Sequence, residues 1–246
     1  MTATDQTQSP VSEPKAHPAS KDALSHAVLA APVFLLYQIG LLISPGAANG
    51  VDPITRQLGY LAGLSWPVYL AVVVGLTVIY ALALRSLAGR HKFQPSRFLL
   101  VLGEGLAYAL LMGPAAHFIL GSLHLLGEPA NPLQAMGPID RIIASAGAGF
   151  YEELIFRLAG LGGLMWLLGK RFKRWQAIIV ALLVTSLVFS AMHYIGTYSE
   201  DFDLGSFSYR AVLGIFLGLM FVYRGFGTAV WAHFLYDVYV MLFVLD

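Results

Sequence analysis

The sequence predicts an all-α fold, a polytopic membrane bundle of about seven transmembrane helices (six to eight) behind a disordered amino-terminal tail. Three observations carry this expectation. Of 246 residues, 57% are hydrophobic and only 12% are charged, where a soluble domain carries about 25% charge. Mean hydropathy is +0.69. Seven apolar runs approach or exceed the roughly 20 residues that cross a bilayer, and the charges collect between them.

Residues 1–22 are polar and rich in Ser, Thr, Pro and Ala, and read as a disordered cytoplasmic tail. They lack the charged, apolar and small-residue regions of a cleaved signal peptide. The remainder, 23–246, is expected to form one membrane domain, with apolar segments at 24–44, 63–84, 97–126, 139–169, 175–197, 207–223 and 226–245. The third and fourth are long enough to be tilted or broken. Loops containing Pro and Gly at 45–53 and 127–138 separate the first three helices from the rest. No repeat is visible.

The interhelical charges alternate in sign. Arg85, Arg90, Lys92 and Arg97 lie in one loop, Lys170, Arg171, Lys173 and Arg174 in the next but one, and Arg224 in the next but one again. The intervening loops hold Glu128 and Asp140 with Arg141, then Glu200, Asp201 and Asp203 with Arg210. By the positive-inside rule the amino terminus is cytoplasmic and the carboxyl terminus lies on the opposite side, as an odd helix count requires. The formal net charge of +1 gives no reason to expect nucleic acid or an acidic partner. Without cysteine there is no disulfide, thiol nucleophile or Cys-based metal site.

The fourth segment contains Gly149-Phe150-Tyr151-Glu152-Glu153-Leu154-Ile155-Phe156-Arg157. An ionisable side chain at bilayer depth costs roughly 2.5–3.5 kcal/mol on insertion scales, so such residues face the bundle interior and serve a function. Glu153 and Arg157, at i and i+4, share a helical face and can pair. Glu152 lies about 100° round an α-helix from Glu153, leaving Arg157 poorly placed for it. One carboxylate is then neutralised and the other is left to act. Phe189 and His193 are likewise i, i+4 in the fifth segment, as are His233 and Asp237 in the last. An aspartate beside a histidine can hold its tautomer and orientation.

Carboxylate and imidazole together suit hydrolysis, with one group taking a proton from water and other donors stabilising the oxyanion. They also suit zinc, with Glu152, His193 and His233 as the ligands if a metal is present. The contiguous H-E-x-x-H signature is absent, as is the G-x-S-x-G nucleophile elbow. Taken singly, each motif has a plainer reading. Glu153 with Arg157 can be a register-fixing ion pair, Glu152 a buried neutral acid, His193 an interfacial histidine, and His233 with Asp237 an interhelical clasp. Glu104 has no sequence-local basic partner and reads as a polar contact between helices. His117 and His124 suit an interfacial position, and His26 and His91 carry no signal.

At Glu152-Glu153-x-x-x-Arg157, Phe189-x-x-x-His193 and His233-x-x-x-Asp237 the chain closely resembles the CPBP family. These are the CAAX-protease and bacteriocin-processing (Abi) intramembrane proteases related to type II CAAX prenyl endopeptidase. The matching portion is about 139–245. The resemblance implies a helical intramembrane endopeptidase, of glutamate or metalloprotease type, acting on a membrane-associated peptide or protein in a bacterial cytoplasmic membrane. It implies that Glu152 and His193 activate water, that Glu153 and Arg157 form a structural pair, and that His233 and Asp237 stabilise the oxyanion. Two positions depart from the family pattern: Leu158 stands where glycine is common, and Asp237 where asparagine is frequent. A charged Asp237 would repel an oxyanion, so it is expected to orient His233 or bind a metal.

No cofactor is read from the sequence; a divalent metal such as zinc is the one candidate. Because its ligands would come from three separate segments, a metal-independent reaction is expected, with activity falling at acid pH as Glu152 protonates. A non-catalytic scaffold or immunity-type protein would use the same polar core for packing or partner binding. A proton-coupled carrier would use Glu152 as a proton site, but no inverted repeat is visible. Depth poses a problem: about 1.5 Å of rise per residue puts Glu152 near mid-membrane, His193 toward the outer face and His233 toward the inner third. Convergence therefore requires tilted, broken or re-entrant helices.

Overall fold

The computed structural model describes residues 23–48, 65–88, 95, 97–123, 125, 136–195 and 201–244. The expected tail at 1–22 lies outside the described residues, as do His91, His124, Glu128 and Glu200. Helix α1 spans Ala23–Ile43, followed by a 3₁₀ turn at Pro45–Ala47; α2 spans Trp66–Ala88 and α3 Arg97–Ser122. Helix α4 is continuous but changes winding. It is α-helical over Pro138–Gly147, π-helical over Ala148–Leu161 and α-helical again over Gly162–Leu168. Helix α5 spans Arg174–Ala191 and tightens to 3₁₀ at Met192–Tyr194, α6 spans Leu204–Arg224, and α7 spans Phe226–Tyr239 with a π turn at Val240–Val244. Among the described residues there is no strand.

Six of these helices are long and apolar enough to cross a membrane; α4, with its charged centre, is the seventh. The protein is an integral membrane protein. Helix ends follow from local chemistry. Asp203 caps α6 by accepting from the Ser206 amide at 2.7 Å, and Pro138 opens α4. Gly225, at φ 92°, makes the turn from α6 into α7 that a residue with Cβ rarely adopts. Large apolar side chains left exposed on α2, including Val74, Val78, Ile79 and Leu82, suit contact with lipid.

Helix α7 is the centre of the bundle, packed on α1, α3, α4 and α6. Its small residues Gly227, Thr228, Ala229 and Ala232 are buried and let neighbouring backbones approach. On one side Phe34, Tyr37, Phe150, Tyr151, Phe226 and Phe234 join α1, α4 and α7 in an aromatic core. On the other, Met112, Leu213 and Leu217 join α3 and α6 to α7. A third group around Leu161, Ala181 and Leu182 fastens α4 to α5 and α6.

Candidate functional site

The π-wound stretch of α4 carries Glu152, Glu153 and Arg157, all buried. Windings of this kind are rare and recur at functional sites. The α-helical spacing argument expects Arg157 to pair with Glu153 rather than Glu152, and of the two carboxylates Glu153 acts on it more strongly. The direct pair is still Glu153 with Arg157, at 3.2 Å.

Glu153 does more than neutralise the arginine. It is fully buried, and the same Oε1 that faces Arg157 lies 2.8 Å from Nδ1 of His233 on α7. With the carboxylate ionised, Nδ1–H donates and the imidazole is held in one orientation. The other ring nitrogen, Nε2, lies 3.8 Å from Glu152 Oε2 and 3.6 Å from Asp237 Oδ2. His233 therefore sits among three carboxylates. The residue that orients it is Glu153 at hydrogen-bond distance, while Asp237, expected in that role, stands farther off at the opposite nitrogen.

This contact depends on a close approach between backbones. A Cβ at Gly149 would lie 2.7 Å from Phe234 Cβ and 2.9 Å from that residue's Cα and N, so glycine is what lets the π segment lie against α7. His193 reaches the group through Phe189. The Phe189 ring lies 5.1 Å from the His193 ring, 6.1 Å from His233 and 4.3 Å under the Arg157 guanidinium. The Arg157 charge thus meets an aromatic face as well as a carboxylate. His193 Nδ1 lies 3.0 Å from the Phe189 carbonyl, which orients its ring. All three motifs are gathered around Phe189 and His233.

Sequence reading missed several neighbours. Tyr209 and Tyr236 share a buried hydrogen bond of 2.7 Å between α6 and α7, one residue before Asp237. Arg210 lies within α6 and not in the outer loop; it donates to Ser206 Oγ at 2.8 Å and acts electrostatically on Asp237. Gln38 donates to the Tyr151 hydroxyl at 2.9 Å, tying α1 to α4. No local spacing announces the Tyr209–Tyr236 and Gln38–Tyr151 pairs, which span 27 and 113 residues of chain. Glu104 does make an interhelical contact, an ion pair with Arg224 across 120 residues. His117 sets its ring edge-on to Tyr209 at 5.0 Å.

Among the described residues no group of three His, Asp or Glu side chains is arranged to hold a metal ion. One nitrogen of His233 is taken by Glu153, and its other near neighbours stand at 3.6 and 3.8 Å. The trio Glu152, His193 and His233 does not fit a zinc site as arranged.

Residues 134–239 match a family model described as type II CAAX prenyl endopeptidase Rce1-like. No curated protein and no solved structure matches the chain.

Proposed function

We propose that the chain, whose segment 134–239 belongs to the type II CAAX prenyl endopeptidase-like family, is an intramembrane endopeptidase that hydrolyses a peptide bond of a membrane-associated peptide or protein. The observation that carries the reading is the buried junction of Glu152, Glu153 and Arg157 with His233, brought together from α4 and α7.

Water is the nucleophile and Glu152 the base. The 3.8 Å between Glu152 Oε2 and His233 Nε2 is too long for a direct hydrogen bond, and a water alongside the two atoms can reach both. Glu152 takes a proton from that water while His193, its ring oriented by the Phe189 carbonyl, shares it. The water oxygen bonds to the substrate carbonyl carbon, and the electron pair of the C=O bond moves to oxygen. His233, donating from Nδ1 to Glu153, offers Nε2–H to this oxyanion as an imidazolium whose charge Glu153 and Asp237 match. The oxyanion's electron pair then re-forms C=O as the C–N bond breaks, Glu152 passes its proton to the leaving nitrogen and returns to carboxylate, and the products are the new carboxylic acid and the amine.

Asp237 is kept from opposing the oxyanion by its two positive neighbours, His233 and Arg210. Glu153 and Arg157 hold His233 and do not touch the reacting atoms. Purified protein in detergent, incubated with a library of membrane-associating peptides and followed by mass spectrometry, tests the reading. The expected result is cleavage at a defined bond; intact peptides throughout, from folded protein, would leave the scaffold reading in its place.

A further inference from the structure

A cavity of about 1000 Å³ lies at the end of the bundle where α1 and α7 begin and α2 and α6 end. It is at the upper end of the range for ligand sites, about 300–1,000 Å³. Helix α2 packs chiefly on α1 and stands off from α4, so the cavity opens sideways between Ile79, Ala83 and Leu87 of α2 and Leu158 and Trp166 of α4. On α4 it takes Tyr151, Leu154, Leu158 and Gly162, a different face from Glu152, Glu153 and Arg157, and none of the candidate catalytic side chains lines it. The walls are almost wholly apolar, and three features at one end are not. Arg174 lines it, and Lys170 lies 3.5 Å over the ring of Trp166, also in the lining. His26 lines it too, and its buried Nδ1 has no hydrogen-bond partner among the described residues.

We infer that this cavity binds an anionic membrane phospholipid, separately from the peptide substrate. An acyl chain fits the apolar walls facing the bilayer between α2 and α4. The phosphate sits at the basic end, where Arg174 and Lys170 offer charge and several donors. The positive charge of Arg174 and Lys170 at this end of the cavity favours a ligand with an anionic head over a neutral one. The bound chain would prop α2 against the catalytic helix from the face opposite its carboxylates.

Native mass spectrometry of delipidated full-length protein, given equimolar dioleoyl phosphatidylglycerol and dioleoyl phosphatidylcholine, tests this. Wild type is expected to retain one phosphatidylglycerol in clear preference. The double variant Lys170→Gln with Arg174→Gln, at the junction of α4 and α5, is expected to lose about tenfold or more of that preference. Ala83→Phe fills the space from an exposed position of α2 and is expected to retain neither lipid. Equal retention of both lipids by wild type, or wild-type preference in the charge variant, would overturn the inference. So would lipid retention unchanged by Ala83→Phe in protein that melts normally.

Discussion

Replacing Gly149 with alanine should disable the site without touching a charged residue. The new Cβ would lie 2.7 Å from Phe234 Cβ and 2.9 Å from Phe234 backbone atoms, against 3.4 Å or more for ordinary contact. The neighbours are backbone and a Cβ, so no side chain can swing aside. The helices must separate by about 0.7 Å at this point, which carries a cost of about 1–3 kcal/mol. If that shift passes to the nearby Glu153–His233 bond, its 2.8 Å becomes about 3.5 Å, outside hydrogen-bond range. Misplacement near 1 Å commonly lowers rate about 100-fold, so Gly149→Ala should lose 10- to 100-fold in peptide cleavage, with its melting temperature lowered by a few degrees. Gly163→Ala is the control, because its Cβ meets nothing within 4 Å on the same helix. Full activity in Gly149→Ala would refute the claim that close α4–α7 packing sets the catalytic geometry.

Arg157→Ala leaves buried Glu153 with His233 in place of two partners and should cost up to about 3–5 kcal/mol, read as lost expression and a lower melting temperature. Wild-type melting would contradict the pairing. Glu153→Gln with Arg157→Met should restore much of the folded yield but not cleavage, because His233 also depends on Glu153. His233→Gln should lower kcat about 100- to 1,000-fold if it stabilises the oxyanion; a loss seen only in KM would assign it to substrate binding. Glu104→Gln should shift stability by less than about 1 kcal/mol in thermal melts, since the Arg224 side chain it pairs with is 42% exposed. Element analysis of chelator-washed, active protein should find no stoichiometric metal; a metal whose removal abolishes cleavage and whose return restores it would overturn the water mechanism given above.

The helices were legible because bilayer length and apolar runs leave little freedom. The fourth apolar run, 139–169, became Pro138–Leu168, and the sixth, 207–223, became Leu204–Arg224. The third run, read to 126, ends as a helix at Ser122. The three motifs were legible because i, i+4 pairs are a property of one helix. The winding of α4 was not, since no residue pattern distinguishes i→i+5 from i→i+4 bonding in an apolar run. Nor were the pairs that depend on which helices meet: Glu104 with Arg224, Tyr209 with Tyr236, Glu153 with His233. Gly149 stands within the motif, yet its reason, the nearness of Phe234, exists only once α4 lies on α7.

The most direct test of the account is Glu152→Gln, which keeps size and hydrogen bonding but removes the base. Purified alongside wild type, matched for folding by thermal melting, and given a peptide the wild type cleaves, the variant should form no product above background. Cleavage by Glu152→Gln at a rate near that of wild type would contradict the assignment of Glu152 as the residue that activates water.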